Sequence, residues 1–352
     1  MSDEAKNIIR VACIYAASII GAGFASGQEI MQFFSTYKTG GFYGVLLAGV
    51  LFGVIGCIVL SRVYDGRIRN YEEFIFPMFG WHIGWIIEIT VTLFMFCMYS
   101  IMVAGAADVL SETLGLPQRF AVLIMGIICM LFILTNIKGI AVLSSVVTPV
   151  LVAGIILSGI YIIIMKESPA SAFPAYLSRI TDNWFFSSLL YVSYNSIPAV
   201  MMMCSMFPYL KTRRTAAAAG ILGGAVLSLA ALVINTVISL FYPSAVEKEI
   251  PVMDILYSLS SPAGSLYALL LWLAMLISAV TSGFCFTDRI SNSLKVSRKV
   301  LAFLLCAAAV PLSALGFSRL ISLVYPVFGY LGLFMIIVML ITCITAQLYG
   351  RK

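Results

Sequence analysis

Residues 18–29 read Ser-Ile-Ile-Gly-Ala-Gly-Phe-Ala-Ser-Gly-Gln-Glu. Three glycines, Gly21, Gly23 and Gly27, break an apolar run of helix length, which then closes on the amide of Gln28 and the carboxylate of Glu29. Glycine weakens a helix by about 1 kcal/mol against alanine and admits unwound backbone. In hydrocarbon, unwinding is tolerated only where the freed N–H and C=O groups face protein, water or a ligand. The stretch alone leaves two readings. Gly23 and Gly27 form a GxxxG spacing that brings two helices together, or Gly21–Gly23 opens a helix to expose its backbone.

The surroundings identify the solvent. Of 352 residues, 62% are hydrophobic and 10% charged, with a mean hydropathy of +1.06; soluble domains carry about 25% charged residues. A membrane-spanning helix needs about 20 apolar residues. Ten stretches qualify, at approximately 8–36, 40–61, 81–110, 119–137, 140–165, 184–209, 216–241, 264–287, 299–316 and 320–348. Lipid leaves free backbone groups unpaired, so these are expected to be helices. The short alternating segments of a β-barrel are absent. The first run is too long and too glycine-broken for a signal peptide and is expected to be retained.

Charge orients the spans. With the N-terminus inside, the inner segments hold 15 of the 21 Lys and Arg residues and the outer ends hold 6. The positive-inside rule then predicts ten spans in a bacterial-type cell membrane, with both termini cytoplasmic. The net charge of +6 follows from this bias, and no segment is available to bind nucleic acid. Asn70–Phe79 is short, aromatic and amphipathic, as expected of a helix lying along the inner interface. Val252, Ile255, Leu256 and Leu259 repeat at helical spacing outside, which fits either a lid over an outer vestibule or a surface helix shielding the bundle.

A second interruption resolves the opening alternatives. The sixth span contains Tyr194-Asn-Ser-Ile-Pro198. Proline removes a donor and clashes with the preceding turn, and Asn195 and Ser196 compete for local backbone bonds. The breaks lie half a chain apart, each in the first span of a five-helix half. An odd span number inverts the second half in the membrane. The prediction is an all-α membrane protein with a 5+5 inverted repeat, residues 1–170 and 171–352, with helices 1 and 6 interrupted. Paired interruptions of this kind mark the binding site of an inverted-repeat transporter. Half-helix ends offer N–H groups to an anion and carbonyls to a cation, which suits an amino-acid-like zwitterion.

The ten-helix count, the motif IIGAGFASGQEI (residues 19–30) and the SYNSIPA break (residues 193–199) resemble the amino acid–polyamine–organocation superfamily with the LeuT fold. The resemblance is closest to the YkvI-like amino-acid permeases and covers nearly the whole chain. It implies that Gly21, Ala22 and Gly23 hold a substrate carboxylate. Tyr194, Asn195, Ser196 and Ile197 would contact the amine and side chain, with Tyr99 or Ser100 adding a group from span 3. It also implies a Na⁺ site between the carbonyls of Ala17 and Ile20 and span 8, with hydroxyls from Thr281 and Ser282 and a carbonyl from Ser278. Phe24 stands where some relatives carry an asparagine for a second sodium, so no second site is expected. Span 5 has no lysine inside, which argues against one proton-coupled variant of the family.

Glu29, Glu88 and Asp108 fall within spans, where carboxylates default to functional roles. Glu29 and Glu88 are the candidates for gating or proton coupling, whereas Asp108 is expected to be solvated near the outer end of span 3. The eight cysteines lie in apolar runs without metal-ligand spacing, and no disulfide or transition-metal site is expected. His82, the single histidine, sits at a span edge. No catalytic motif points to an enzyme. The expected protein is a secondary transporter working as a monomeric unit, with a small-molecule substrate, the bilayer as its other partner, and Na⁺ favoured over H⁺ as the coupling ion. It needs no other cofactor. The alternative is a ligand-sensing membrane subunit of the same fold, like a germinant receptor.

Overall fold

A computed structural model describes residues 3–134, 137–165, 180–246 and 248–349. In chain order the helices are α1 (Asp3–Ile19), α2 (Ala22–Ser26), α3 (Gln28–Phe33), α4 (Thr39–Asp65), α5 (Tyr71–Leu114), α6 (Gln118–Leu134), α7 (Ile137–Met165), α8 (Trp184–Cys204), α9 (Arg213–Leu240), α10 (Tyr242–Ala245), α11 (Pro251–Leu259), α12 (Ser261–Leu294), α13 (Arg298–Ser313) and α14 (Phe317–Tyr349). Helix occupies most of the described part of each of the ten apolar stretches. Among the described residues, five helices are long and apolar enough to cross a membrane: Thr39–Asp65, Tyr71–Leu114, Arg213–Leu240, Ser261–Ser291 and Phe317–Met339. The expected boundary at 170/171 lies outside the described residues.

The first span is divided as its glycines predict. Helix α1 stops at Ile19, Gly21 is extended (φ −97°, ψ −171°), and α2 restarts at Ala22. Gly27 (φ +87°) ends α2 and begins α3 in the left-handed region, which glycine enters at little steric expense. The predicted break in the sixth span is absent. Helix α8 runs unbroken through Tyr194–Pro198. Its polar side chains bond back to the preceding turn instead of unwinding it. Asn195 Nδ2 donates to the Tyr191 carbonyl at 3.1 Å and Ser196 Oγ to that of Val192 at 2.7 Å, the i−4 pattern that bends a helix without opening it.

Packing follows a regular scheme. Helix α4 lies against α9, α5 against α12, α6 against α13, and α1 against α8. Small residues make the α4–α9 approach possible: a Cβ at Gly220 would strike the backbone of Gly56 and Cys57, and one at Gly224 would strike Gly53. The close helix contact that the GxxxG spacing suggested for span 1 is thus made here.

Helix α5 is two helices joined at Gly80 (φ +72°, ψ +174°). Asn70 caps the first, accepting from the Glu73 N–H at 2.8 Å while its amide donates to Glu73 Oε1 at 2.9 Å, a reciprocal cap that fixes where the helix begins. Helix α11 is its counterpart on the opposite side of the chain's midpoint. Pro251 opens it at a position where the missing N–H has no helical partner to lose. It buries Val252, Met253, Ile255 and Leu256 and packs on α2, α7, α9 and α12. Val252 and Ile238 close over Gly27. The segment is thus a helix seated against the broken span, an arrangement that fits both expectations for it.

Candidate functional site

The break in span 1 has unequal sides. A Cβ at Gly21 would meet no atom within 4 Å, so the extended segment borders open space. Ala22 and Gly23 are buried. A Cβ at Gly23 would collide with Glu29 Oε1; the turn at Gly27 folds α3 back so that Glu29 lies against α2. Ser26 Oγ donates to the Gly23 carbonyl at 2.9 Å, and Tyr267 of α12 donates to the Ala25 carbonyl at 2.6 Å. These bonds hold the short α2 in place from within and from across the bundle.

Glu29 is 4% exposed and accepts a 2.6 Å hydrogen bond from the Tyr194 hydroxyl. That bond joins the two segments singled out in the sequence. Tyr194 packs its ring 4.5 Å from Tyr325, 5.4 Å from Phe33 and 5.7 Å from Tyr191. Tyr191 and Tyr325 are fully buried; the Tyr191 hydroxyl makes no hydrogen bond among the described residues, and the Tyr325 hydroxyl lies beside Glu29. No described Lys or Arg pairs with it. Tyr191, Tyr325 and Tyr267 were not singled out from sequence. Tyr191 lies one turn before Tyr194 on the same helix, and Tyr325-Pro326 repeats the polar-then-proline pattern of span 6, so both carried a signal.

Other expected residues stand as follows. Ser196 and Ile197 line a cavity of about 20 Å³ with Ser193, Phe74, Phe79 and Met335, room for roughly one water. Asn195 is buried beside them and bonded within its own helix. Tyr99 packs against Gly283, with its buried hydroxyl beside Cys306. Ser100 bonds its own helix at Phe96, and its carbonyl accepts from Ser313 at 3.1 Å. Both span 3 residues contact α12 or α13 in this structure.

In the expected ion site, Ile20 and Ser282 are buried while Thr281 is exposed, with Ala17 and Ser278 between these extremes. Glu88 is ion-paired with Arg289 of α12, whose guanidinium lies 5.7 Å over the Tyr71 ring. Asp108 is 6% exposed and accepts from Gln118 Nε2 at 2.8 Å. The expectation that it is solvated is corrected: Asp108 is buried, and Gln118, the first residue of α6, supplies a donor to it. Among the described residues, no three His, Cys, Asp or Glu side chains converge as a metal site.

This architecture is that of membrane transporters. The chain superposes on a variant of the Eremococcus coleocola manganese transporter with a TM-score of 0.63 at 15% identity, covering 94% of this chain and 77% of that one. It superposes on Mhp1, a nucleobase-cation-symport-1 family transporter, in a closed conformation with bromovinylhydantoin bound (TM-score 0.57, 15% identity, 86% and 70% covered). It also superposes on a Na⁺-coupled sialic acid symporter (0.57, 13%, 92% and 78%). The similar folds are transporters, not enzymes. In sequence the chain is YkvI-like. It is 25% identical over 337 residues to the Bacillus subtilis (strain 168) membrane protein YkvI, covering 95% of both chains, and 25% identical over 324 residues to YyaD of the same organism. No family model matches.

Proposed function

We infer that the protein is a secondary transporter that moves a small solute bearing an ammonium group, a class that contains the amino acids and related zwitterions, by alternating access. The observation that carries this reading is the opened backbone at Ile20–Gly21, set in an apolar span beside open space and backed by a buried carboxylate. Structural neighbours that carry a hydantoin and a sialic acid with a Na⁺-coupled partner support a solute-and-ion mechanism. The mutual packing of α1 with α8, α4 with α9, α5 with α12 and α6 with α13 supports ten spans in two inverted halves, since four of the five spans of one half meet their counterpart in the other.

In this reading Gly21–Gly23 and the α8 face at Tyr194–Ile197 contact the solute. Coupling runs through one of two ions. Na⁺, favoured by the span 8 hydroxyls, would use the Ala17 and Ile20 carbonyls with Ser278, Thr281 and Ser282. H⁺ would use Glu29. Glu88 acts as a structural pin, because Arg289 already satisfies it. The manganese of the first neighbour is not carried over, since the described residues bring together no ligand set.

The test is solute uptake into proteoliposomes under an imposed Na⁺ gradient and, separately, a pH gradient. Gly21→Val is expected to fold and insert yet lose uptake, because its side chain fills the space before the break. Wild-type uptake by that variant would sink the site. Binding without net flux under either gradient would favour a sensor of the same fold.

A further inference from the structure

We propose that the solute is a protonated amine without a carboxylate, the protein supplying that carboxylate itself through Glu29. The proposal rests on the reading of the span 1 break as the substrate site. Three observations carry it. First, Glu29 lies against Gly23, in the place where a substrate carboxylate was expected, so a second anion there meets a like charge in a dry region. Second, charge balance: no described basic residue pairs with Glu29, and a buried carboxylate that lacks a counter-charge keeps its proton, so an ammonium placed beside it is what would let it ionise. A simple ammonium leaves the site neutral, whereas a zwitterion leaves one negative charge over.

Third, the walls suit an ammonium. Tyr194, whose hydroxyl donates to Glu29, packs among the rings of Tyr191, Tyr325 and Phe33, and aromatic rings attract a cation through the ring quadrupole. The Tyr191 hydroxyl is buried without a hydrogen-bond partner among the described residues, and the buried Tyr325 hydroxyl interacts with Glu29. An ammonium has three N–H donors and no acceptor; Glu29 with the Tyr191 and Tyr325 oxygens offers three acceptors. In the present conformation the rings pack against one another, so in this proposal amine binding separates them.

Matched pairs test the idea: phenethylamine against L-phenylalanine, and isopentylamine against L-leucine. Thermal unfolding of the protein in nanodiscs is followed in phosphate buffer, in K⁺ and in Na⁺. The amines are expected to raise the unfolding temperature at concentrations at least tenfold below their amino acids, in either salt. Glu29→Gln should weaken the amine effect at least tenfold. Tyr325→Phe, which keeps the ring and removes the hydroxyl beside Glu29, should weaken amine binding severalfold. Preference for the amino acid in either salt, an unchanged amine response in both variants, or no response to any amine overturns the proposal. Flux separates it from the broader reading. An amine that binds through Glu29 but never crosses the bilayer refutes transport and leaves the site chemistry standing. An amino acid that crosses while amines do not bind does the reverse.

Discussion

At Gly23 a backbone carbon and a side chain from the next turn compete for one place. Glu29 already fills the volume a methyl group would take, so Gly23→Ala must push the carboxylate away from Tyr194. A hydrogen bond to a charged group contributes about 1.5–3 kcal/mol, and that is the destabilisation expected in thermal unfolding of the purified protein. Gly21→Ala has negative φ and no neighbour within 4 Å, so its change should stay within about 0.5 kcal/mol. Equal losses at the two positions would refute the geometry. The presence of Glu29 and of the glycines was legible in the sequence. Its company was not, because Tyr194 lies 165 residues away and no local period connects them.

At the scale of elements, two contacts fix how the helices lie. The α4–α9 seam brings Gly220 onto the backbone of Gly56 and Cys57. Gly220→Val has no room to relax and is expected to destabilise by about 3 kcal/mol or more, beyond a usual overpacked core, with a matching fall in unfolding temperature. The Glu88–Arg289 pair ties α5 to α12, with both side chains less than one-fifth exposed. Glu88→Ala leaves a guanidinium unpaired and should cost roughly 3 kcal/mol, while the exchanged pair Glu88→Arg with Arg289→Glu should recover much of it. A proton carrier at Glu88 would instead show as lost pH dependence of uptake with stability intact. Element existence was readable from apolar runs throughout. The state of α8 was not: proline and polar residues signalled an opening, and only the back-bonding of Asn195 and Ser196 to the preceding turn shows why the helix continues.

Across the whole molecule, the charge bias makes a statement about orientation. Arg67 lies on an expected inner connection and Lys248 on an outer one, and both are exposed. Single cysteines at these positions should react with a membrane-impermeant thiol reagent from opposite sides of intact cells, Lys248→Cys from outside and Arg67→Cys only after permeabilisation. Labelling of both from one side would break the ten-span count, because an odd error in the number of spans between them inverts one end.

The sequence by itself determined the solvent, the helical class, the place of the first break and the resemblance to YkvI-like permeases. Those properties depend on composition, on runs of about 20 apolar residues and on glycines at fixed local positions, all of them short-range. The tertiary structure decided what stands at the break. It set Glu29 on Gly23, brought Tyr325 from the last helix to Tyr194, turned Tyr99 toward the α6–α13 side and gave Glu88 its arginine. Each of these is a meeting of helices far apart in the chain, and which faces meet depends on how small residues let backbones approach, a choice that hydropathy cannot express because lipid-facing and protein-facing sides are equally apolar.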